Sequence, residues 1–272
     1  MNAVIKNIEP HYEELRVSAD GGTVAARATG QGAPIVLFHS LLADDTSFDR
    51  IVPALAATHR VIVLSLPGFG ESDRAEGGLE AVADRIAAAI AAMDLGQPPI
   101  LLGNGYGGFV ALTVAIRHPG IASRLVLADC GAAFSEAGRA AFRGMSAMAR
   151  EKGLAGISDV AMRRLFAPAY QAAHPELIEE RRARFVAVDA ETFHAACAAL
   201  ATLDLRGELA RVQVPALVLV GEHDEATPPA MAHELAAGLP QATLTVLPGC
   251  AHVPQLQEPA LFMDAIRDFI GG

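Results

Sequence analysis

The chain has 272 residues, 52% hydrophobic and 19% charged, which excludes a disordered segment and a disulfide-stapled mini-protein. Its 21 Lys and Arg against 31 Asp and Glu give a net charge of −10, which argues against nucleic-acid and anionic-membrane partners. Three Cys favour a reducing compartment over a disulfide framework. We expect a cytoplasmic protein, because the first fifteen residues lack a signal-peptide pattern and no apolar run approaches 18 residues.

Short apolar runs and Ala-rich stretches alternate along most of the chain. A hairpin is predicted first, with strands at 15–18 and 23–29 around a turn at Asp20-Gly21-Gly22. Buried strands follow at 35–38, 61–64, 100–102, 125–128, 216–220 and 243–247, with helices at 48–57, 79–93, 106–117, 230–238 and 259–270. This order predicts an α/β fold, a mostly parallel sheet with helices on both faces.

One segment interrupts the alternation. No strand is predicted between 134 and 208, where the pattern indicates helices at 136–151, 159–166, 175–186 and 191–202. We interpret residues 132–207 as an inserted helical cap, and residues 1–131 with 208–272 as the α/β core. Such a cap is expected over the carboxyl end of the sheet, where open α/β sheets bind ligands.

The glycine-rich turn after the strand at 100–102 supports three interpretations. The run from Gly103 to Gly108 matches the dinucleotide fingerprint G-x-G-x-x-G, with Asp129 as the acid at the end of the next strand. The same residues match the nucleophile elbow G-x-S-x-G, with Gly105 where the Ser should be. A tight turn without chemistry is the third interpretation.

Four further motifs decide between these interpretations. In chain order they are Phe38-His39-Ser40, Pro67-Gly68-Phe69-Gly70-Glu71-Ser72, Gly221-Glu222-His223-Asp224 and Gly249-Cys250-Ala251-His252. In order and spacing the chain resembles the α/β-hydrolase family over about residues 23–270, as a capped, esterase- or enol-lactonase-like member. A dinucleotide fingerprint normally opens the first strand–helix–strand unit, whereas several strands precede it here. A nicotinamide-dependent oxidoreductase is therefore the less favoured reading.

The resemblance implies a role for each matching residue. Asp224 matches the family's acid and His252 its general base, in the elbow–acid–His order of the family. The backbone N–H groups of Leu41 and Tyr106 match the oxyanion hole. The remaining residues expected to line the pocket are His39, Ser40 and Asn104, although the family commonly has Gly at the position of Ser40. The resemblance implies neither a metal nor an organic cofactor.

Gly105 leaves four explanations open. It has no side chain, so the position cannot carry an acyl group, and Gly enters the strained elbow conformation without a Cβ penalty. The chain is then an engineered inactive hydrolase, a hydrolase using direct water attack, an enzyme of non-covalent acid–base chemistry, or a non-catalytic binding protein. The expected ligand is a small carbonyl compound, namely an ester, a lactone or a vinylogous ketone. The sequence does not indicate the oligomeric state.

The other reactive side chains are predicted to have structural or solvent-facing positions. Cys130 and Cys250 are predicted to be packing residues. Asp44 and Asp45 are expected to face solvent, and Asp129 to support Asp224 at most. Five arginines of the cap segment could attract a carboxylate-bearing substrate, but we expect them to form a solvated face: Arg163, Arg164, Arg181, Arg182 and Arg184.

Overall fold

The computed structural model describes residues 11–271. Residues 1–10, which hold most of the segment without a signal-peptide pattern, and Gly272 lie outside the described residues. Eight strands form one sheet in the order β1-β2-β4-β3-β5-β6-β7-β8. Their bounds are β1 (Glu13–Ala19), β2 (Gly22–Thr29), β3 (Ala33–Phe38), β4 (His59–Leu64), β5 (Ile100–Asn104), β6 (Arg124–Ala128), β7 (Ala216–Gly221) and β8 (Ala242–Leu247).

Strands β3 to β8 pair in parallel, whereas β2 runs antiparallel to both β1 and β4. The predicted strand bounds agree with the observed ones within two residues. The prediction of a mostly parallel α/β sheet is therefore confirmed. The hairpin forms as expected because Asp20 and Gly21, both at positive φ, make the two-residue turn.

Eleven α-helices pack around the sheet in the described chain. They are α1 (Val52–Leu55), α2 (Gly78–Ala92), α3 (Tyr106–Arg117), α4 (Glu136–Lys152), α5 (Ser158–Leu165), α6 (Pro168–Ala173), α7 (Pro175–Val186), α8 (Ala190–Thr202), α9 (Pro229–Gly238), α10 (Pro254–Gln257) and α11 (Pro259–Ile270). Alternate residues of each central strand enter opposite cores: Val36 packs with α2 and α3, and Leu37 packs with α1 and α11. Helices thus cover both faces of the sheet.

Three details differ from the sequence prediction. The helix expected at 48–57 is a 3₁₀ turn at Asp45–Phe48 followed by the single-turn α1, because Pro53 has no N–H for an interior helical bond and fits only a first turn. Helix α6 was not predicted and begins at Pro168, also a first-turn proline. Strand β8 is not buried on both faces, since it is the edge of the sheet and Val246 is 41% exposed.

Helices α4 to α8 all lie between β6 and β7, and we call them the helical insertion. Within it α4 packs against α8 and α5 against α7, while α8 also contacts α2 of the sheet layer. An antiparallel bridge between Ala133 and Asp204 joins the two chain segments that lead into and out of the insertion. Within residues 11–271, no helix is both long enough and apolar enough to cross a bilayer.

Candidate active site

Gly105 makes the turn between β5 and α3, at the carboxyl end of the sheet. Its backbone dihedrals are φ 55° and ψ −120°, a conformation that penalises a residue with a Cβ. Its N–H donates to the Ala128 carbonyl at 2.9 Å, which holds the turn against β6. Two residues further on, a Cβ at Gly107 would lie 2.0 Å from the Phe38 carbonyl oxygen, so α3 starts in direct backbone contact with the end of β3.

His252 and Asp224 form a buried pair beside this turn. The His252 Nδ1–H donates to Asp224 Oδ2 at 2.9 Å, and the two side chains are only 7% and 0% exposed. Thr227 Oγ1 donates to the same carboxylate oxygen at 2.6 Å, and the N–H groups of Ala226 and Thr227 donate to Oδ1. This arrangement gives His252 the Nδ1–H tautomer and leaves Nε2 with a free lone pair to accept a proton.

The negative charge of Asp224 is maintained despite its burial. Burial alone would raise the pKa of Asp224, but the neighbouring His252 and the hydrogen bonds from Thr227 outweigh it and hold the pKa below its usual value. The carboxylate therefore remains ionised at neutral pH. An ionised Asp224 can stabilise a positive charge on His252 during proton transfer.

Ser40 lies on the open side of His252. Its hydroxyl is buried, and Oγ is 3.4 Å from His252 Nε2. A Cβ built on Gly105 would lie 2.5 Å from Ser40 Oγ and 2.7 Å from His252 Nε2, both closer than real Cβ contacts. The space that a side chain at residue 105 would need is therefore already occupied by the Ser40 hydroxyl and the imidazole.

A small cavity of about 30 Å³ lies at this point, between the sheet and the helical insertion. Its polar lining comes from Ser40, Thr227, His252 and Arg164, and its apolar lining includes Phe109, Phe134, Phe142, Met145 and Leu200. Leu41 and Tyr106 also line it, and their backbone N–H groups have no acceptor among residues 11–271. Two unbonded donors at a largely apolar site can bind an oxyanion.

The side chains of His39 and Asn104, which the sequence analysis expects to line the pocket, are directed into the surrounding structure. Neither lines the cavity. His39 is fully buried, donates from Nδ1 to the Ser40 carbonyl at 2.9 Å and accepts the Leu66 N–H at Nε2. Burial lowers its pKa and favours the neutral imidazole. The Asn104 amide instead donates to Asp129 and to the His252 carbonyl.

Asp129 lies behind the pair and does not contact the cavity. Its Oδ1 accepts the Gly221 N–H at 2.8 Å and its Oδ2 accepts the Asn104 amide at 3.1 Å. Burial, reinforced by the charge of Asp224, raises the pKa of Asp129 well above its usual value. Ligand atoms of Asp129, Asp224 and His252 lie within 4.8 Å of one another, but all four carboxylate oxygens already accept hydrogen bonds. The group is typical of a hydrogen-bonded support rather than of a metal site.

Asp44 and Asp45 do not face solvent freely, contrary to the sequence prediction. Asp44 pairs with Arg184 at 3.1 Å and with Arg181 at 3.5 Å, and Asp45 pairs with Arg27 at 2.8 Å. The first two contacts tie the loop after β3 to α7 of the helical insertion. Arg181 and Arg184 lie about 140 positions from Asp44 in sequence, so no local pattern indicates these two ion pairs.

The remaining candidates divide in two groups. Arg182 pairs with Asp159 at 2.6 Å and Arg163 is exposed, as expected for a solvated face. Arg164 differs, because it lines the cavity and has no carboxylate within 4.0 Å among residues 11–271.

Burial raises the pKa of the Cys130 thiol, and that of Cys250 to about 12. Such thiols are protonated at neutral pH and fit the predicted packing role.

Thr227 is the functional side chain that the sequence reasoning missed. A Thr three residues after an Asp can donate to that Asp across a tight turn, so the Asp224-Glu-Ala-Thr227 order was a usable signal.

A second cavity, of about 230 Å³, lies between α2 and α8 and shares only Tyr106 with the first. It contains no part of the His252 network, so we assign the chemistry to the smaller cavity.

Comparisons with known proteins agree with the observed fold. A model of the "Alpha/beta hydrolase family" matches residues 35–265. The chain is 26% identical to 3-oxoadipate enol-lactonase 2 of Acinetobacter baylyi over 94% of this chain and 96% of that one. It is 31% identical to a pimeloyl-[acyl-carrier protein] methyl ester esterase of Neisseria meningitidis, over 88% and 93%. The crystal structure of the enol-lactonase from Burkholderia xenovorans LB400 superposes with a TM-score of 0.88, at 25% identity, over 95% and 100%.

Proposed function

The chain belongs to the alpha/beta hydrolase family, and from that premise we propose that it hydrolyses small carboxylic esters or lactones at the His252 site. The observation that carries the proposal is the buried Asp224–His252 pair, whose Nε2 faces a cavity bordered by two unbonded backbone N–H groups. A base, its orienting carboxylate and an oxyanion site are the parts that acyl transfer to water requires.

In this proposal each group has a defined task. His252 Nε2 accepts the proton of the attacking hydroxyl and returns it to the leaving oxygen. Asp224 fixes the tautomer of His252 and stabilises its charged form, and Thr227 holds Asp224 in place. The N–H groups of Leu41 and Tyr106 donate to the oxygen of the tetrahedral intermediate, and the position of Tyr106 at the start of α3 adds the helix dipole.

We further propose that Gly105 occupies the position that carries the nucleophile in serine members of the family. Its strained dihedrals and its place between a strand and a helix support this assignment. The helical insertion, with its flanking residues 132–207, would then be a cap over the core formed by 11–131 and 208–271. Its contribution of Phe142, Met145, Arg164 and Leu200 to the cavity supports that division.

The substrate class follows from the relatives and from the cavity. Two of the similar proteins are named for lactone or methyl ester substrates. The side chains that line the cavity are mostly apolar, which matches the polarity of a short acyl chain, and Arg164 supplies one cation at its border. Family membership argues against the dinucleotide interpretation of the turn from Gly103 to Gly108.

The occupied space beside Gly105 helps to choose among the four explanations for the missing serine. A simple Ser→Gly knock-out would leave a void at residue 105, whereas here Ser40 and His252 crowd that volume. This supports a site arranged around Gly at 105. It argues against a simple engineered removal of a serine at residue 105.

A panel of p-nitrophenyl esters with two to eight acyl carbons, together with five- and six-membered lactones, tests the proposal. We expect turnover that saturates with substrate and prefers the shorter chains. Saturable binding measured by calorimetry without any product, for folded protein across the whole panel, would favour the non-catalytic alternative.

A further inference from the structure

The geometry points to Ser40 as the nucleophile of this hydrolase, at the end of β3 instead of at the turn after β5. This inference rests on the proposed function, because it names the atom that attacks the carbonyl carbon. It also explains why residue 105 is Gly, since the hydroxyl that attacks and a side chain at residue 105 would compete for the same volume.

The first support is the chain of contacts from Ser40 to Asp224. Ser40 Oγ is 3.4 Å from His252 Nε2, and His252 Nδ1 is 2.9 Å from Asp224 Oδ2. Within residues 11–271, His252 is the only hydrogen-bond partner of the Ser40 hydroxyl. Nucleophile, base and orienting acid thus follow one another in the order that activates a serine, and a distance of 3.4 Å is within the looser range of unliganded sites.

The second support is the position of Oγ relative to Gly105. A Cβ on residue 105 would be 2.5 Å from Ser40 Oγ and 3.0 Å from Ser40 Cβ. The Ser40 hydroxyl therefore reaches the region that a side chain at the elbow would enter, although it comes from a different strand. From there it faces the same cavity and the same imidazole.

The third support is that the backbone of Ser40 is fixed. Its carbonyl accepts the His39 Nδ1–H at 2.9 Å and the Ala43 N–H at 3.2 Å. His39 in turn accepts the Leu66 N–H, which links the loop after β3 to the chain after β4. A nucleophile held by such contacts is preorganised, and the two hydrogen bonds of the buried His39 give it a positioning role.

The chemical step balances with groups that the site holds. Ser40 Oγ bonds to the carbonyl carbon while its proton passes to His252 Nε2. The Leu41 N–H, on the residue after the nucleophile, and the Tyr106 N–H stabilise the oxyanion. The carbon–oxygen bond to the leaving group then breaks, and the leaving oxygen takes the proton from His252. Water attacks the resulting Ser40 ester with His252 as base, releases the carboxylic acid and restores the hydroxyl.

The test is covalent labelling with a fluorophosphonate, followed by peptide mass spectrometry, in the full chain. We expect one phosphonyl adduct on Ser40 in the parent protein and none in Ser40→Ala. Ser40→Ala is expected to lower kcat/KM for p-nitrophenyl acetate by about 10³–10⁴-fold. Stopped-flow assays of the parent should show a burst of one p-nitrophenol per active site.

Ser47→Ala is the matched control. Ser47 is also a buried serine in the segment after β3, and its hydroxyl has no hydrogen-bond partner in the described part of the chain. We expect this variant to keep both the adduct on Ser40 and the turnover of the parent. Ser40→Cys, which retains the size of the side chain, should be alkylated at residue 40 by iodoacetamide, and it provides the readout if Ser40→Ala does not fold.

The outcomes separate this inference from the proposed function. If folded Ser40→Ala hydrolyses esters within about threefold of the parent, a water molecule is the nucleophile and the inference is wrong, while the proposed function stands. An adduct on another residue that eliminates turnover also overturns it. A parent protein that hydrolyses no ester or lactone contradicts the proposed function itself.

Discussion

The described chain contains two imidazole–carboxylate pairs with nearly the same contact distance and very different surroundings. His252 Nδ1 lies 2.9 Å from Asp224, and His118 Nε2 lies 2.7 Å from Asp84. The side chains of the first pair are 7% and 0% exposed, whereas those of the second are 37% and 33% exposed. The short hydrogen bond is therefore common to both pairs, and it does not identify a catalytic base.

The partners of each carboxylate explain the difference. Asp84 also binds the Arg117 guanidinium at 2.6 Å, so a permanent cation already compensates its charge. Within residues 11–271, Asp224 receives hydrogen bonds only from the neutral donors of Ala226 and Thr227 and from His252, and its side chain is fully buried. In such surroundings the charge of Asp224 is weakly screened, whereas solvent and Arg117 screen the charge of Asp84 at the surface.

Replacing the two histidines should separate the pairs most clearly. His252→Ala removes the general base, so we expect kcat/KM for p-nitrophenyl acetate to fall by about 10²–10⁴-fold. His118→Ala should leave turnover within about twofold, because the surface pair lies outside the site. Steady-state assays of both purified variants make the comparison, and equal losses in the two would show that the buried pair has no special role.

Moving the hydroxyl from residue 40, after β3, to residue 105, after β5, is expected to have the next largest effect on turnover. Gly105→Ser places a Cβ at positive φ and crowds Ser40 and His252, so unfolding free energy should fall by about 1–3 kcal/mol and turnover by about tenfold. The double variant Ser40→Gly/Gly105→Ser removes the crowding and restores a hydroxyl beside His252.

Denaturant titration and ester assays on the parent, Gly105→Ser, Ser40→Gly and the double variant test this exchange. We expect the double variant to recover most of the activity that Ser40→Gly alone loses. A double variant as inactive as Ser40→Gly, but as stable as the parent, would show that the imidazole cannot serve a hydroxyl at residue 105.

The supports of the two carboxylates provide a finer comparison. Thr227→Val removes the O–H donor to Asp224 while keeping the shape of the side chain, and we expect kcat/KM to fall by about tenfold, as for a hydrogen bond to a charged group. Arg117→Gln removes the cation beside Asp84 and should not change turnover. A Thr227→Val variant with unchanged kcat would show that the backbone N–H groups alone hold Asp224.

The smallest expected effect is on how the free energy of unfolding depends on pH and salt. Hydrogen bonds from Arg117 and His118 lower the pKa of Asp84, and the His252 contact, outweighing burial, lowers that of Asp224. A depressed pKa in the folded state stabilises the fold above the unfolded-state pKa of about 4, and that stability is lost as pH falls further. Asp84→Asn should reduce this fall in unfolding free energy at acid pH only at low ionic strength, because salt screens the exposed pair. Asp224→Asn should reduce it in 1 M NaCl as well, because salt screens a buried pair less.

Urea titrations between pH 2.5 and 6, in 20 mM and 1 M NaCl, measure both contributions. If added salt cancels the difference between Asp224→Asn and the parent, the buried carboxylate is more hydrated than its contacts indicate.

The fold and the positions of Gly105, Asp224 and His252 were predictable from motif order and strand pattern, because both are local in sequence. The direction of a side chain at a strand end was not. His39 and Ser40 are adjacent, yet one is turned into the core and the other lines the cavity. That choice depends on which backbone groups lie opposite, here those of Ser40 and Leu66, and the sequence does not reveal them.

Contacts made by the helical insertion were equally hidden. Phe142, Met145 and Leu200 have the apolar spacing of ordinary core residues, and only the docking of α4 and α8 brings them to the cavity. Arg164 follows the same rule: its sequence neighbour Arg163 is exposed, and a rotation of one residue around α5 directs Arg164 inward.

The cavity beside Ser40 has a kinetic consequence because of its size. A volume of about 30 Å³ accommodates one or two water molecules and is smaller than an ester, so we expect helices of the insertion to move away from the sheet when substrate binds. The rate of ligand association should therefore reach a plateau at high ligand concentration, at the rate of that opening. Solvent viscosity should lower the plateau, whereas substitution of a heavier isotope at the substrate carbonyl should not change it.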